Sequence, residues 1–148
     1  MVDRYAALKL ENQLCFPLYA ASRQIVNAYN PFFKPLGITY TEYIVFMVLW
    51  EEDGIKVKEL GEKLYLGNST LTPLLKRMEQ KGYITRTRSE QDERVVSLHL
   101  TDSGWQMREK LVEIPTELGN CIQMPLEKLE TLRSLLNELL EATDHMKV

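Results

Sequence analysis

Two cysteines provide the only thiols of this 148-residue chain, and a thiol can act as a nucleophile or a redox sensor. Cys15 lies two residues before Pro17, which is disfavoured in a helix interior because it lacks an N–H and clashes with the preceding turn. Either a helix kinks at Pro17, or its regular part starts near Cys15 with Pro17 in the first turn. In the second case the positive end of the helix dipole favours the thiolate, and Cys15 would be reactive. The alternative role is that of a small buried hydrophobic residue.

The distribution of charge gives a second indication of chemistry. The formal net charge of −3 argues mildly against nucleic-acid binding. However, residues 76–88 contain one acid, Glu79, against five basic residues: Lys76, Arg77, Lys81, Arg86 and Arg88. A solvated helix face would also be charged, so this segment alone leaves both interpretations open.

The elements around this basic segment predict a helix followed by a β-hairpin. Asn68-Ser69-Thr70 is a cluster of helix N-cap residues, and Gly82 is predicted to end the helix. The apolar residues between them have the spacing of one helix face: Leu71, Leu74, Leu75 and Met78. Residues 83–88 and 95–100 are predicted as strands that a polar tip, 89–94, connects. This is the second half of a winged helix-turn-helix, whose helix can lie in a DNA major groove while the wing reaches an adjacent groove.

Helical patterns precede and follow this motif. A helical stripe covers residues 14–36, and Thr39-Tyr40-Thr41-Glu42 has the spacing of a capping box before a nearly all-apolar helix through Trp50. Residues 57–65 are a short amphipathic helix. After Thr101 a helix is predicted to about Leu118, interrupted by Pro115. Pro125 begins a last helix with leucines on one side: Leu126, Leu129, Leu132, Leu136 and Leu140.

Together these elements predict a single domain that is mainly α with a small β-hairpin wing. The winged helix-turn-helix covers about residues 39–101, and dimerisation helices cover about 8–36 and 102–148. The winged motif cannot use so much leucine surface, so the flanking helices are expected to pack against a second copy in a two-fold homodimer. A dimer also fits pseudo-palindromic operators, because its two recognition helices fall about one helical turn apart.

Three motifs identify a resemblance: Leu71-Thr72-Pro73-Leu74-Leu75-Lys76-Arg77, Asp92-Glu93-Arg94, and Leu100-Thr101-Asp102-Ser103-Gly104. They resemble the MarR family of bacterial transcription regulators, which implies double-stranded operator DNA as a partner. Arg94 is then expected to enter the minor groove, with Asp92 fixing its side chain. Ser69, Thr70 and Thr72 are expected to read the major groove. The candidates for phosphate contacts are Lys76, Arg77, Arg86 and Arg88.

Within that family, the N-terminal part resembles the organic-hydroperoxide-responsive repressors. The matching residues are Leu10-Glu11-Asn12-Gln13-Leu14-Cys15-Phe16, Tyr19-Ala20-Ala21-Ser22-Arg23, Tyr29 and Ile38-Thr39-Tyr40. The resemblance implies that Cys15 senses an organic hydroperoxide and that Tyr29 and Tyr40 hydrogen-bond its thiolate, with Tyr19 in a supporting role. On one continuous helix Cys15 and Tyr29 would lie roughly 21 Å apart. If they form one site, Tyr29 must therefore come from the dimer partner.

Cys121 determines the subtype that the resemblance implies. Its position before the last leucine-rich helix is similar to that of the second cysteine in the two-cysteine branch of these repressors. In that branch the second cysteine resolves the sulfenate as an interchain disulfide. The alternative is a structural cysteine, with an external thiol in that role.

Other functions are weighed against this one. A MarR-type regulator could instead be released by a small aromatic ligand, or by another thiol oxidant such as hypochlorite or a quinone. A thiol peroxidase is a third hypothesis, but the sequence contains no Cys-x-x-Cys, paired metal ligands or nucleotide loop, so no enzyme activity, metal or cofactor is expected. The N-terminus does not resemble a signal peptide, and the longest apolar run, 44–50, is too short to span a bilayer. The expected location is the cytoplasm, with no membrane partner.

Overall fold

The computed structural model describes residues 3–147 of the chain. Two short 3₁₀ turns, Ala6–Leu8 and Leu10–Asn12, precede the first helix, α1 (Cys15–Ala28). Pro17 lies in the first turn of α1, so the second of the two predicted arrangements is the observed one. The continuous helix predicted over residues 14–36 is wrong, because α1 ends at Ala28 and is followed by α2 (Asn30–Phe33) and a 3₁₀ turn, Lys34–Leu36. Pro31 explains the break, since its ring would clash with the carbonyl of Asn27 in a continuous helix.

Helix α3 (Tyr40–Glu51) supplies the centre of the hydrophobic core. Thr39 caps it by accepting a hydrogen bond from the backbone N–H of Glu42 at 3.3 Å, which is one half of the predicted capping box. The other half does not form, because the carboxylate of Glu42 is bound elsewhere. The buried apolar residues of this helix are Tyr43, Val45, Phe46 and Leu49.

The winged helix-turn-helix follows in the predicted order. Helix α4 (Val57–Leu64) leads to α5 (Asn68–Gln80), in which Leu71, Leu74, Leu75 and Met78 are all buried, as the spacing predicted. Gly82 ends this segment with a φ of +80°, a conformation that glycine adopts without steric cost. Strands β1 (Ile84–Arg88) and β2 (Val96–Leu100) pair antiparallel, with Ile84 opposite Leu100 and Arg88 opposite Val96. We call residues 84–100 the wing.

A compact set of contacts joins the wing to α6 (Asp102–Leu111). The Thr101 hydroxyl donates to the carbonyl of Gly82 at 2.6 Å and accepts from the N–H of Gly104 at 3.2 Å. A Cβ at Gly104 would overlap the carbonyl oxygen of Tyr83, so this position has no room for a side chain. The Leu-Thr-x-x-Gly motif is therefore a packing requirement of this junction.

The C-terminal helices are α7 (Ile114–Cys121) and α8 (Leu126–Ala142), followed by a 3₁₀ turn, Asp144–Met146. The break after α6 falls earlier than the predicted interruption at Pro115. Pro115 is the cause, because its ring would clash with the carbonyl of Leu111, the residue at which α6 ends. Helix α8 begins directly after Pro125, as predicted, and none of its residues is buried.

Contacts divide the chain into two compact units, one ending at Ile114 and the other starting at Pro115. The first unit contains one core to which α3, α5, the base of the wing and α6 all contribute. Across residues 3–147, no single helix is long and apolar enough to cross a membrane. The adjoining segments Cys15–Leu36 and Tyr40–Glu51 pass that length and composition test only as a pair bent by 80°.

Candidate nucleic-acid interface and thiol site

The N-terminal half of α5 presents the three residues predicted to read a major groove. Ser69, Thr70 and Thr72 are exposed, on the side opposite the buried leucines. The expected cap at Asn68-Ser69-Thr70 is wrong by one residue: Gly67 is the N-cap, no side chain caps the helix, and Asn68 is the first helical residue. Glycine is acceptable at this position because the N-cap backbone is extended. The Asn, Ser and Thr side chains are therefore left out of capping hydrogen bonds.

A groove of about 790 Å³ lies between α4, α5 and the wing. We call it the basic groove, because its lining includes four basic residues together with the exposed side of α5. Two acidic residues of α4, Glu59 and Glu62, also line it. The structure thus brings Thr72, Arg86 and Arg94 to one surface, although they are distant in sequence. The remaining polar lining residues are Lys56, Lys58 and Asn68.

The predicted phosphate-contacting arginines already have partners within the chain. Arg86 pairs with Glu79 at 2.6 Å, and the Arg88 guanidinium donates to the backbone carbonyl of Glu93 at 3.2 Å. Arg77 lies 4.0 Å from the carboxylate of Glu42, and Lys76 is exposed on the same helix. Without a ligand, the three arginines are thus directed toward acceptors of the chain itself.

Asp92 acts on the main chain of the wing tip. Its carboxylate accepts a hydrogen bond from the backbone N–H of Arg94 at 3.0 Å, whereas the sequence predicted that it would fix the Arg94 side chain. An aspartate readily bonds the backbone two residues further on, because its short side chain reaches only that far in a turn. Asp92 therefore shapes the turn that directs Arg94 toward the basic groove.

The candidate sensor thiol is exposed at the start of α1. Cys15 is the first residue of this helix, and Tyr19 lies one turn further on with 62% of its surface exposed. The guanidinium of Arg23 lies over the Tyr19 ring at 5.4 Å. Since α1 is continuous from Cys15 to Ala28, Cys15 and Tyr29 are roughly 21 Å apart in one chain.

The two tyrosines assigned to the thiol come together at the other end of α1. Tyr29 and Tyr40 have ring centroids 5.2 Å apart, and Tyr43 lies 5.6 Å from Tyr29. Phe33 packs against both Tyr29 and Tyr43. We call these four rings the aromatic cluster. Sequence reasoning missed Phe33 and Tyr43, although Tyr29–Phe33 and Tyr40–Tyr43 have the spacing of neighbours on a helix face.

Burial changes the acidity of these phenols. It raises the pKa of Tyr29 to about 12, and the neighbouring Tyr43 and Tyr40 add to this effect. Burial likewise raises the pKa of Tyr40, and that of Tyr43 with a further contribution from Tyr40. The hydroxyl groups therefore keep their protons at neutral pH and can donate hydrogen bonds to an anion.

Cys121 is the last residue of α7. Its thiol is exposed and donates to the backbone carbonyl of Glu117 at 3.3 Å. Cys15 and Cys121 form no disulfide with each other within the chain. In the part of the chain that the structure describes, no three His, Cys, Asp or Glu side chains are grouped so that they could hold a metal ion.

Comparisons with known proteins agree with this architecture. Residues 27–111 match the family described as "Transcriptional regulator SarA/Rot". The "Organic hydroperoxide resistance transcriptional regulator" of Bacillus subtilis (strain 168) is 48% identical over 147 residues, which cover 99% of each chain.

Two solved structures of AbfR, a protein of Staphylococcus epidermidis, are also similar. Reduced AbfR bound to DNA superposes with a TM-score of 0.81 at 34% identity, covering 97% of this chain and 99% of AbfR. Disulfide-formed AbfR gives a TM-score of 0.61 at 35% identity, covering 94% and 92%. This chain therefore belongs to the MarR family of winged helix-turn-helix transcriptional regulators and is similar to the organic hydroperoxide resistance regulators within it.

Proposed function

We propose that the protein is a homodimeric repressor that binds double-stranded operator DNA and releases it when an organic hydroperoxide oxidises Cys15. The observation that carries this proposal is the combination, in one compact unit, of an exposed N-terminal thiol on α1 with an exposed recognition helix beside the basic groove. The B. subtilis relative is named for organic hydroperoxide resistance, and AbfR is described in both DNA-bound and disulfide forms.

DNA binding would use α5 and the wing together. Ser69, Thr70 and Thr72 face outward from the N-terminal half of α5, the part of a recognition helix that contacts base edges. Arg94 at the wing tip would enter the minor groove. The phosphate contacts would come from four basic residues: Lys76, Arg77, Arg86 and Arg88. Arg86 already pairs with the carboxylate of Glu79, and Arg88 already donates to the backbone carbonyl of Glu93.

The homodimer would use the terminal segments. Large apolar side chains are exposed along the N-terminal segment, where Leu8 is 78% exposed, and along α8, where Leu126 is 72% exposed. Exposed apolar surface on this scale marks an interaction site, and a two-fold axis would pair each segment with its own copy. Such a dimer would also bring Tyr29 and Tyr40 of one subunit to Cys15 of the other.

The redox step involves bond exchange at the sulfur of Cys15. Its thiolate attacks the terminal oxygen of the hydroperoxide and breaks the O–O bond, which yields a sulfenic acid and an alkoxide that takes up a proton to become the alcohol. The sulfur is oxidised and the peroxide is reduced. Tyr29 and Tyr40 would then lose hydrogen bonds to the thiolate, which disturbs the interface that carries both winged units.

Cys121 of the other subunit would resolve the sulfenic acid. Its thiol attacks the sulfur of the sulfenic acid, which breaks the S–O bond, forms the interchain S–S bond and releases water. Disulfide formation needs the two α-carbons within roughly 7 Å, so any larger separation must close by movement of the helices. Such a movement can shift the recognition helices out of register with successive major grooves.

A gel shift on the DNA upstream of the protein's own gene tests the proposal, with and without organic hydroperoxide. Wild-type protein should release DNA on oxidation and run as a covalent dimer on a non-reducing gel, and reductant should reverse both effects. Cys15→Ser should keep DNA binding and lose the response to hydroperoxide. Release of the Cys15→Ser protein by an aromatic compound alone would favour a ligand-responsive regulator instead.

Cys121→Ser provides the control for the resolving step. It should stop the interchain crosslink while Cys15 still oxidises. If oxidised wild-type protein releases DNA without an interchain bond, Cys121 is structural and an external thiol forms the mixed disulfide.

A further inference from the structure

Glu42 is a buried charge in the first turn of α3 that neither DNA contact nor thiol chemistry uses. Its side chain is 0% exposed, and it is the one buried polar or charged residue within the described part of the chain. Placing a carboxylate out of water is unfavourable unless it is paired and hydrogen-bonded. A charge at this position therefore needs an explanation beyond helix capping, for which the hydroxyl of Thr39 is already present.

The partners of Glu42 come from the C-terminal end of the recognition helix. The ammonium of Lys81 donates to both carboxylate oxygens, at 3.0 and 2.9 Å, and Lys81 is the C-cap residue directly after α5. Arg77, one turn earlier on α5, lies 4.0 Å from the same carboxylate. The carboxylate thus holds two basic residues of the helix that is proposed to read DNA.

The same ammonium also binds the segment that contains Tyr40. Lys81 donates a third hydrogen bond, at 2.8 Å, to the backbone carbonyl of Gly37. Gly37 and Glu42 stand on either side of Tyr40 in the sequence. Tyr40 in turn contacts Tyr29 in the aromatic cluster. A continuous series of contacts therefore runs from the proposed hydrogen-bond donors of the thiol to the end of α5.

We propose that Glu42 and Lys81 are positioning residues that transmit a displacement of Tyr40 to the recognition helix, an inference that rests on the proposed function above. When the phenols lose the thiolate, the start of α3 moves and Lys81 follows, because its three hydrogen bonds all end on that segment. The C-terminal turn of α5, with Arg77, moves with it. Two sites are coupled when they bias the same structural element, and here that element is the 37–42 segment.

A charge-neutral double substitution tests this coupling. Glu42→Leu with Lys81→Met removes one negative and one positive charge and fills the space with apolar groups, a replacement that folded proteins generally tolerate. The measured quantity is the ratio of the operator Kd of the hydroperoxide-treated protein to that of the reduced protein. Thermal unfolding and the rate of Cys15 oxidation are measured in parallel.

The matched control lies at the other end of α3. Glu52 and Lys63 form an exposed ion pair at 2.7 Å between the end of α3 and α4. Glu52→Leu with Lys63→Met makes the same chemical change without touching the 37–42 segment. We expect the ratio of oxidised to reduced operator Kd to be about tenfold smaller in the Glu42/Lys81 variant than in the wild type. The control should keep the wild-type ratio.

Glu42→Gln tests the same inference if the double variant does not fold. The amide can still accept one hydrogen bond from Lys81 but lacks the charge, so we expect a loss of about threefold in the Kd ratio. A wild-type ratio in a folded Glu42/Lys81 variant, or in Glu42→Gln, would overturn the inference and leave the proposed function intact. A wild-type protein that binds operator equally well before and after oxidation would overturn both.

Discussion

The winged region and the terminal helices differ in how far their large apolar side chains are buried. In α3, α5 and the base of the wing, the large apolar side chains are buried against one another. Neither α1 nor α8 contains a buried residue, and Tyr5, Leu10 and Leu14 are each about 60% exposed or more. A region that buries its own apolar surface can keep its shape independently, whereas exposed apolar helices reach a favourable state only against another surface. The difference assigns DNA recognition to the first kind of region and the proposed dimer to the second.

The largest expected effect comes from placing charges on the leucine side of α8. Leu132→Glu with Leu140→Glu would bury carboxylates in the proposed dimer interface, because both leucines are exposed on that side of the helix. We expect the dimer Kd to rise about a thousandfold or more, because unpaired buried charges cost several kcal/mol. Analytical ultracentrifugation measures this. Ser134→Glu with Asn137→Glu adds the same charges on the polar side and should leave the dimer intact. A leucine-to-glutamate variant that stays dimeric would locate the interface elsewhere.

The next effect concerns the interior of the winged region. Gly104→Ala places a Cβ against the carbonyl oxygen of Tyr83 and the side chain of Leu100. We expect it to lower the free energy of unfolding by about 3 kcal/mol, as overpacking of a tight site does. Urea denaturation measures the change. Gly119→Ala in α7 is the matched control, because its Cβ meets no atom within 4 Å. That change should stabilise the helix by about 0.5–1 kcal/mol. A neutral Gly104→Ala would show that the wing can shift away from α6.

A smaller effect is expected at the wing tip, where the winged region is proposed to contact DNA. Arg94→Ala should weaken operator binding by about 1–3 kcal/mol and leave the dimer unchanged. Arg108→Ala, which removes an exposed arginine from α6, should bind as wild type does. Fluorescence anisotropy at fixed salt compares the two. Unchanged affinity in Arg94→Ala would remove the wing from the binding mechanism.

The smallest effect is a pH dependence in the aromatic cluster, where the end of α1 meets the core. The folded state raises the pKa of Tyr29 from its usual 10.0 to about 12. The unfolded chain therefore loses this proton first. The stabilising contribution is complete below pH 10 and falls as the pH rises toward 12. When urea unfolding is measured from about pH 9 to pH 11, the free energy of unfolding should fall less steeply with pH for Tyr29→Phe than for wild type. Identical slopes would mean that Tyr29 titrates normally.

Sequence patterns predicted most of the fold because local signals and burial agree in the winged region. The spacing of Leu71, Leu74, Leu75 and Met78 predicted their burial, and Gly82 ends the segment as expected. The predicted helix ends are wrong where a proline clashes with the carbonyl four residues before it. Pro31 and Pro115 each block a carbonyl in the preceding turn, so α1 and α6 end earlier than the apolar pattern suggests.

The candidate site was less predictable, because its contacts join distant parts of the chain. The start of α3 reads as a capping box, and nothing local indicates that Glu42 binds Lys81, 39 residues later. The resemblance pointed to Tyr29 and Tyr40 as donors to the thiolate and predicted no aromatic cluster, which packing with Phe33 and Tyr43 forms in the structure. Asp92 was predicted to bind the side chain of Arg94, whereas it binds the backbone N–H of that residue. A sequence does not distinguish backbone from side-chain partners.

The wing has an uneven distribution of order along its length. At its base, Ile84 and Leu100 are buried and the junction through Thr101 holds both strands, whereas the other four residues of β1 are exposed. Burial in β2 extends as far as Leu98, whereas residues 90–94 at the tip are all exposed, so fewer contacts hold the chain there. Arg94 lies in this exposed part, where the turn held by Asp92 limits how many backbone conformations would be lost on contact with a groove. In the proposed complex, the buried base would set the direction in which the wing approaches DNA, and the exposed tip would adjust to the local groove width.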